Sequence, residues 1–231
     1  MQNEENAFDI GERVVYKNNQ LIAFNKPAGL PVTQDKTGDK SMEQLGEIYC
    51  KSRLGLIHRL DRPASGLVLF ARNERALAEL NEQFKSRQIT KVYLAAVAQR
   101  PLDKEGTLVH YLKRDGRSNK SQITASSDKS GKRAELHYRY RTSSERYHLL
   151  EIQLQTGRHH QIRAQLAAIG CPIKGDVKYG FRRSNRDRSI HLHAWKLQFR
   201  HPVSGEQVRI LAPLPGQDPV WQGFDFNPDT V

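Results

Sequence analysis

The chain has 231 residues, of which 37% are apolar and 8% aromatic, enough for a packed core and too evenly spread for extended disorder. No apolar run approaches the roughly 20 residues of a membrane helix, and the acidic start MQNEENAFDIGE is unlike a basic leader peptide. The formal net charge is +12; residues 1–50 hold five Lys or Arg against eight Asp or Glu, or −3, so the remainder carries +15.

Charge concentrated in this way is the footprint of a polyanion binder, nucleic acid before others, because each cation placed near a phosphate releases a counterion. The composition otherwise predicts a globular cytoplasmic protein with a monomer as the default state. Cys50 and Cys171 are far apart and have no CxxC neighbour, so neither a disulfide framework nor a cysteine zinc site is expected.

In chain order, two short apolar runs at 13–16 and 21–25 flank Asn18 and Asn19, which tolerate positive φ, and predict a hairpin. Ser41 followed by Gln44 forms a capping-box pattern, and Met42, Leu45 and Ile48 recur at helical spacing, predicting a helix over 42–51. The apolar run 67–71 reads as a strand. Asn73 then caps a helix whose stripe is Leu77, Leu80 and Phe84. Residues 91–97 (KVYLAAV) predict a buried strand. Residues 113–133 are polar and basic, a mobile loop or loosely ordered hairpin. Strands are expected over 134–142 and 147–155, with Leu150, Ile152 and Leu154 on one face. Gly157 breaks the second strand. A helix over 159–169 places Ile162, Leu166 and Ile169 in line and stops at Gly170, with Pro172 beyond. Strands near 191–200 and 206–212 precede a Pro-rich end in which Trp221 packs across the surface. Strands outnumber helices without alternating with them, so the fold class is α+β, one domain over 1–231 around a mixed, largely antiparallel β-sheet.

Two segments carry chemistry. HRLDRPASGL (58–67) sets a lone carboxylate, Asp61, between Arg59 and Arg62 in a turn before a strand. Flanking cations favour the ionised form that a working carboxylate needs; the alternative is a surface ion pair that fixes the turn. LQTGRHHQIR (154–163) places Arg158, His159, His160, Gln161 and Arg163 at the first turn of a helix, where anions bind. Arg163 is placed to reach a carboxylate such as Asp61 with two parallel hydrogen bonds. His191 and His193 add to the histidine count, but their spacing with His159 and His160 is no metal pattern, and no metal is expected.

Together these segments resemble the signatures of the RluA-type pseudouridine synthases. The resemblance extends to KPAGLPV (26–32), KVYLA (91–95), PIKGDVKYG (172–180) and LHAWKLQFRHPVSGE (192–206), in the family's order over nearly the whole chain. It implies a catalytic domain that isomerises uridine within rRNA or tRNA without cofactor or metal. It further implies Asp61 as the essential aspartate, Tyr93 as the tyrosine that stacks on the base, Arg163 as the partner of the aspartate and Arg59 as the side chain filling the gap left by the flipped base. The bland reading of Tyr93 is a core residue, and that of Lys91 a solvated strand edge. Arg62, Lys91, Arg158, His160 and Gln161 are expected to touch RNA; Arg182 and Arg183, with Arg186 and Arg188 and the 113–133 segment, are candidates to grip phosphates. Ala64 stands where the family usually has threonine and Gln165 where histidine is common, changes that touch RNA contacts rather than the catalytic groups. The small N-terminal RNA-binding domain of many relatives is not expected here. A non-catalytic RNA-binding or RNA-folding factor on the same scaffold is the rival reading.

Overall fold

A computed structural model of the chain describes residues 9–226; residues 1–8, which carry most of the acidic start weighed above against a leader peptide, lie outside the described residues. The expected first hairpin forms from β1 (Val14–Lys17) and β2 (Leu21–Lys26). Its turn does not use positive φ: the left-handed non-glycine residues are Lys51, Arg87, Asn119, His160 and Arg188. Instead the Asn18 Oδ1 accepts from the backbone N–H of Gln20 and Leu21 at 2.9 and 2.8 Å, closing the turn through the side chain.

Both caps form. Ser41 and Gln44 make the reciprocal capping box of α1 (Met42–Cys50), and Asn73 Oδ1 accepts from Ala76 N at the start of α2 (Glu74–Lys85), each contributing about 1 kcal/mol. Along α2 the fully buried positions are Ala76, Leu80 and Gln83, while Leu77 and Phe84 are half-buried. The stripe is therefore rotated from the expected one, and Gln83 enters it because its amide bonds the backbone of Arg200 in both directions. Between these helices lie β3 (Gly55–Leu56) and β4 (Ser65–Ala71), and β5 (Thr90–Val97) follows.

Of the two expectations for residues 113–133, the hairpin holds and the mobile loop does not. These residues span the end of a long strand that the sequence reading missed, β6 (Glu105–Asp115), then β7 (Lys120–Thr124) and the start of β8 (Lys132–Ser143), all antiparallel. The polar composition reflects a hairpin at the end of the sheet, wetted on much of its surface. β9 (His148–Leu154) and α3 (Gln161–Ala168) follow, then β10 (Leu192–Arg200), β11 (Gln207–Leu211) and the short α4 (Pro219–Gln222). The α3 helix begins two residues later than expected because His160 is left-handed at φ 51°.

Eleven strands form one sheet in the order β1-β2-β4-β10-β5-β9-β8-β6-β7, with β11 on β10 and β3 on β4. Every named pair is antiparallel except β10 with β4, which are parallel over His193–Ser65 and Ala194–Gly66. That junction requires glycine: Gly66 has φ +109°, and a Cβ there would stand 2.3 Å from Ala194 O. Because β5 is central, its faces bury differently. Tyr93, Ala95 and Val97 join the main core with Ile162 and Leu166 of α3, whereas Val92, Leu94 and Ala96 pack under Trp195, Trp221 and Phe224. Trp221 is thus a buried cover for the second face, not a surface ornament.

Candidate active site

The site forms where four elements converge on the α3 face of the sheet: the turn before β4, the middle of β5, the end of β9 and the start of α3. A cavity of about 120 Å³ is lined there by Asp61, Ala64, Tyr93, His160 and Arg163, with Arg59 at its exposed rim. Cavities for drug-sized ligands run to roughly 300 Å³ or more, so this one suits a single small ring. The three residues expected to act together, Asp61, Tyr93 and Arg163, do share it.

Asp61 is held from α3 rather than by its sequence neighbours. Its Oδ2 accepts from Arg163 Nη1 at 3.0 Å and lies 3.6 Å from His160 Nε2, and the side chain is 25% exposed. Arg62 turns to the 29–39 loop, where Nε donates to Gly29 O at 2.8 Å and the terminal nitrogens pair with Asp35 at 3.0 Å and with Asp39. The expected pairing of Arg163 also needs correction. Its two parallel hydrogen bonds go to Asp176, Nε to Oδ2 at 2.7 Å and Nη2 to Oδ1 at 2.8 Å, leaving one for Asp61. Burial opposes the charge of Arg163, but the Asp176 hydrogen bonds and charge, with Asp61 behind them, more than offset it and raise its pKa. The signal for Asp176 was the carboxylate in PIKGDVKYG, thirteen residues beyond Arg163.

The same segment supplies Tyr179. Its ring lies 5.0 Å from the Arg163 guanidinium, and its hydroxyl meets His160 Nδ1 at 2.9 Å and Ser121 N at 2.7 Å. Tyr179 thereby docks the β6–β7 hairpin onto the site. Burial, and then the Arg163 charge, push the His160 pKa down to about 2. A neutral ring has one N–H to give, either from Nδ1 to the Tyr179 hydroxyl or from Nε2 toward Asp61. Tyr93 is 8% exposed; burial first, and the Asp61 charge second, raise its pKa, so its hydroxyl is neutral.

The remaining expected contacts divide. Gln161 is buried and spent internally: Oε1 accepts from Thr156 Oγ1 and Arg158 N, and Nε2 donates to Glu135 O. Arg158, Arg182 and Arg183 are exposed. Gln165 is fully buried and ties α3 to the sheet through Leu108 O at 3.0 Å, so of the two departures only Ala64 faces the cavity. A residue missed altogether is Lys26, 0% exposed, whose Nζ donates to the carbonyls of Pro27, Leu30 and Arg62 and so fixes the backbone beside Asp61. Among the described residues no group of three or more His, Cys, Asp or Glu is arranged to hold a metal ion.

Three histidines with strongly lowered pKa make stability depend on acid. Burial is the leading cause at His58, His160 and His193, bringing them to about 3, 2 and 4 from 6.5. Between pH 6.5 and about 4 the unfolded chain binds protons there that the folded chain refuses. Stability therefore falls with pH across that window, by about 1.4 kcal/mol per pH unit for each ring. Thermal unfolding at pH 5 is expected well below that at pH 7; an unchanged midpoint would mean that the folded chain protonates these rings.

By architecture the chain is a pseudouridine synthase-like domain. It superimposes on the solved Human RNA Pseudouridylate Synthase Domain Containing 1 with a TM-score of 0.74 and 25% identity, over 87% of this chain and 83% of that one. The sequence model of the RNA pseudouridylate synthase family matches residues 20–168, and the chain belongs to that family. It is 33% identical to tRNA pseudouridine synthase C of Pectobacterium carotovorum over 91% of this chain and 60% of that protein. It is equally 33% identical to ribosomal large subunit pseudouridine synthase D of Zymomonas mobilis, over 90% of this chain and 70% of that protein. The chain thus spans 60% and 70% of the lengths of these two relatives.

Proposed function

We propose that this chain converts particular uridines in structured rRNA or tRNA to pseudouridine, with Asp61 as the catalytic carboxylate. The observation that carries the proposal is the clamped carboxylate: Asp61 faces a cavity for one small ring and is aimed by an arginine that is itself fixed by a second, buried carboxylate. The reaction breaks the N1–C1′ bond, turns the retained uracil and joins C5 to C1′; the hydrogen lost from C5 is balanced by the one gained at N1. No electrons enter or leave, so the chemistry calls for a charged carboxylate beside the sugar and a pocket that keeps the free base. Asp61 supplies the charge, Arg163 its direction, and Tyr93 a face on which the base stacks.

The target must leave its own stack to reach this depth, and Arg59, exposed at the rim, fills the gap. Arg158, Arg182 and Arg183 meet phosphates, with Lys91 near Arg158 and His160 lining the pocket, while Arg62 and Gln161 are spent on contacts within the protein. The whole chain acts as one catalytic domain and as a monomer, in the cytoplasm, with no metal; no described helix is long and apolar enough to cross a membrane. The test compares pseudouridine maps of tRNA and rRNA from cells with and without the gene, then restores lost sites with purified protein. Sites lost and restored establish activity and substrate together. No lost site, and no product on unmodified RNA, would leave the chain an RNA-binding factor.

A further inference from the structure

The turn after β9 borders two cavities. Leu154, Gly157 and Arg158 line both the Asp61 pocket and an adjoining cavity of about 310 Å³ bounded on its other side by the turn from α2 into β5. Four cations line this second cavity, Lys85, Arg87, Lys91 and Arg158, and no carboxylate does. Lys85 meets Glu82 at 3.6 Å, but both side chains are exposed, a pairing worth little in water. Lys91 stands over the Phe84 ring at 5.3 Å and forms no ion pair among the described residues. Burial pushes its pKa down, the condition of an ammonium that has lost water without gaining an anion. Arg158 gives one N–H, from Nε, to Arg133 O at 3.0 Å, one of the five it has.

Gly157 occupies the saddle between the two cavities, and the protein itself does not demand glycine there. Its φ is not left-handed. A Cβ would meet only Lys91 Nζ, at an ordinary 3.8 Å. What a larger side chain would obstruct is a polymer passing from one cavity into the other. We infer that the RNA strand crosses at Gly157 and that Lys85, Arg87, Lys91 and Arg158 seat a backbone phosphodiester next to the flipped uridine. This rests on the proposed function, which it deepens by giving the strand a direction from Asp61 toward the α2–β5 turn.

The test measures binding of a fluorescein-labelled, uridine-rich stem-loop RNA to the full chain over a range of salt, with pseudouridine formation scored alongside. In the double variant Lys85→Gln, Arg87→Gln the slope of log K against log salt is expected to shrink by up to about 0.7, the share of one single-strand phosphate. Gly157→Leu is expected to bind about tenfold more weakly by steric exclusion, while its unfolding midpoint stays near that of wild type. An unchanged slope in the double variant, or wild-type binding by a folded Gly157→Leu, overturns the inference. If the wild type makes no product on any RNA while the slope still shrinks, the proposed function fails and the phosphate seat stands; an active wild type with an unchanged slope removes the seat alone.

Discussion

Asp61→Asn is expected to lose at least about a thousandfold in the single-turnover rate of pseudouridine formation, roughly 4 kcal/mol of barrier, while its folding and RNA affinity remain close to wild type. The substitution preserves the shape of the side chain and an oxygen that can accept from Arg163 Nη1, the 3.0 Å contact of the native carboxylate. Arg163 does not become an unpaired buried charge, because Asp176 still holds it through two hydrogen bonds. The hydrogen bond survives without its ionic character, so the loss of stability is at most about 1 kcal/mol. What disappears is the negative charge beside the sugar. Removing an acid from a cleft proposed to receive phosphates gives no reason for weaker binding, so filter binding and single-turnover rates should separate cleanly. A loss of no more than a few-fold would take the catalytic role away from Asp61.

Much of this arrangement is legible in the sequence, and the parts that are not share a physical cause. Ser41 and Asn73 announce their helices because a cap is a contact within three residues, and the run KVYLAAV announces a buried strand because burial on both faces removes alternation. Asp61, Tyr93 and Arg163 were singled out by their motifs and converge on one cavity. Which acid meets which base was legible only in part: the Arg163–Asp61 contact was expected, but not that the two parallel bonds of Arg163 go to Asp176. Asp61 lies between two arginines in sequence, yet its guanidinium partner lies 102 residues away, while Arg62 is drawn to Asp35 and Asp39 across a loop. Pairing of this kind is decided by where the backbone brings charges together, and local sequence carries no term for it. The β6 strand escaped notice for a related reason: its hairpin lies at the end of the sheet, where the solvated face dilutes the apolar pattern.

The second large effect is expected at Asp176, a residue that touches no substrate in this scheme. Asp176 is 1% exposed and Arg163 4%, so the pair is a buried one, and removing one partner typically costs 3–5 kcal/mol because the other charge is left without compensation. In Asp176→Asn the remaining contact to Asp61 recovers part of this, which points to a loss of about 3 kcal/mol and a fall in the unfolding midpoint of roughly 6–12 °C for a chain of this size. Well below that midpoint, kcat is expected to fall at least about tenfold with KM little changed, since a guanidinium that keeps only one of its two bonds to residue 176 no longer fixes the direction of the carboxylate. A purely structural Asp176 would lower the midpoint and leave kcat intact. The double variant Arg163→Met, Asp176→Leu separates the two effects. Replacing a whole buried pair by apolar side chains of similar volume is often neutral or stabilising, so its midpoint should recover toward wild type while its activity stays lost. Recovery of both would mean that the clamp serves the fold alone and that Asp61 finds its position without it.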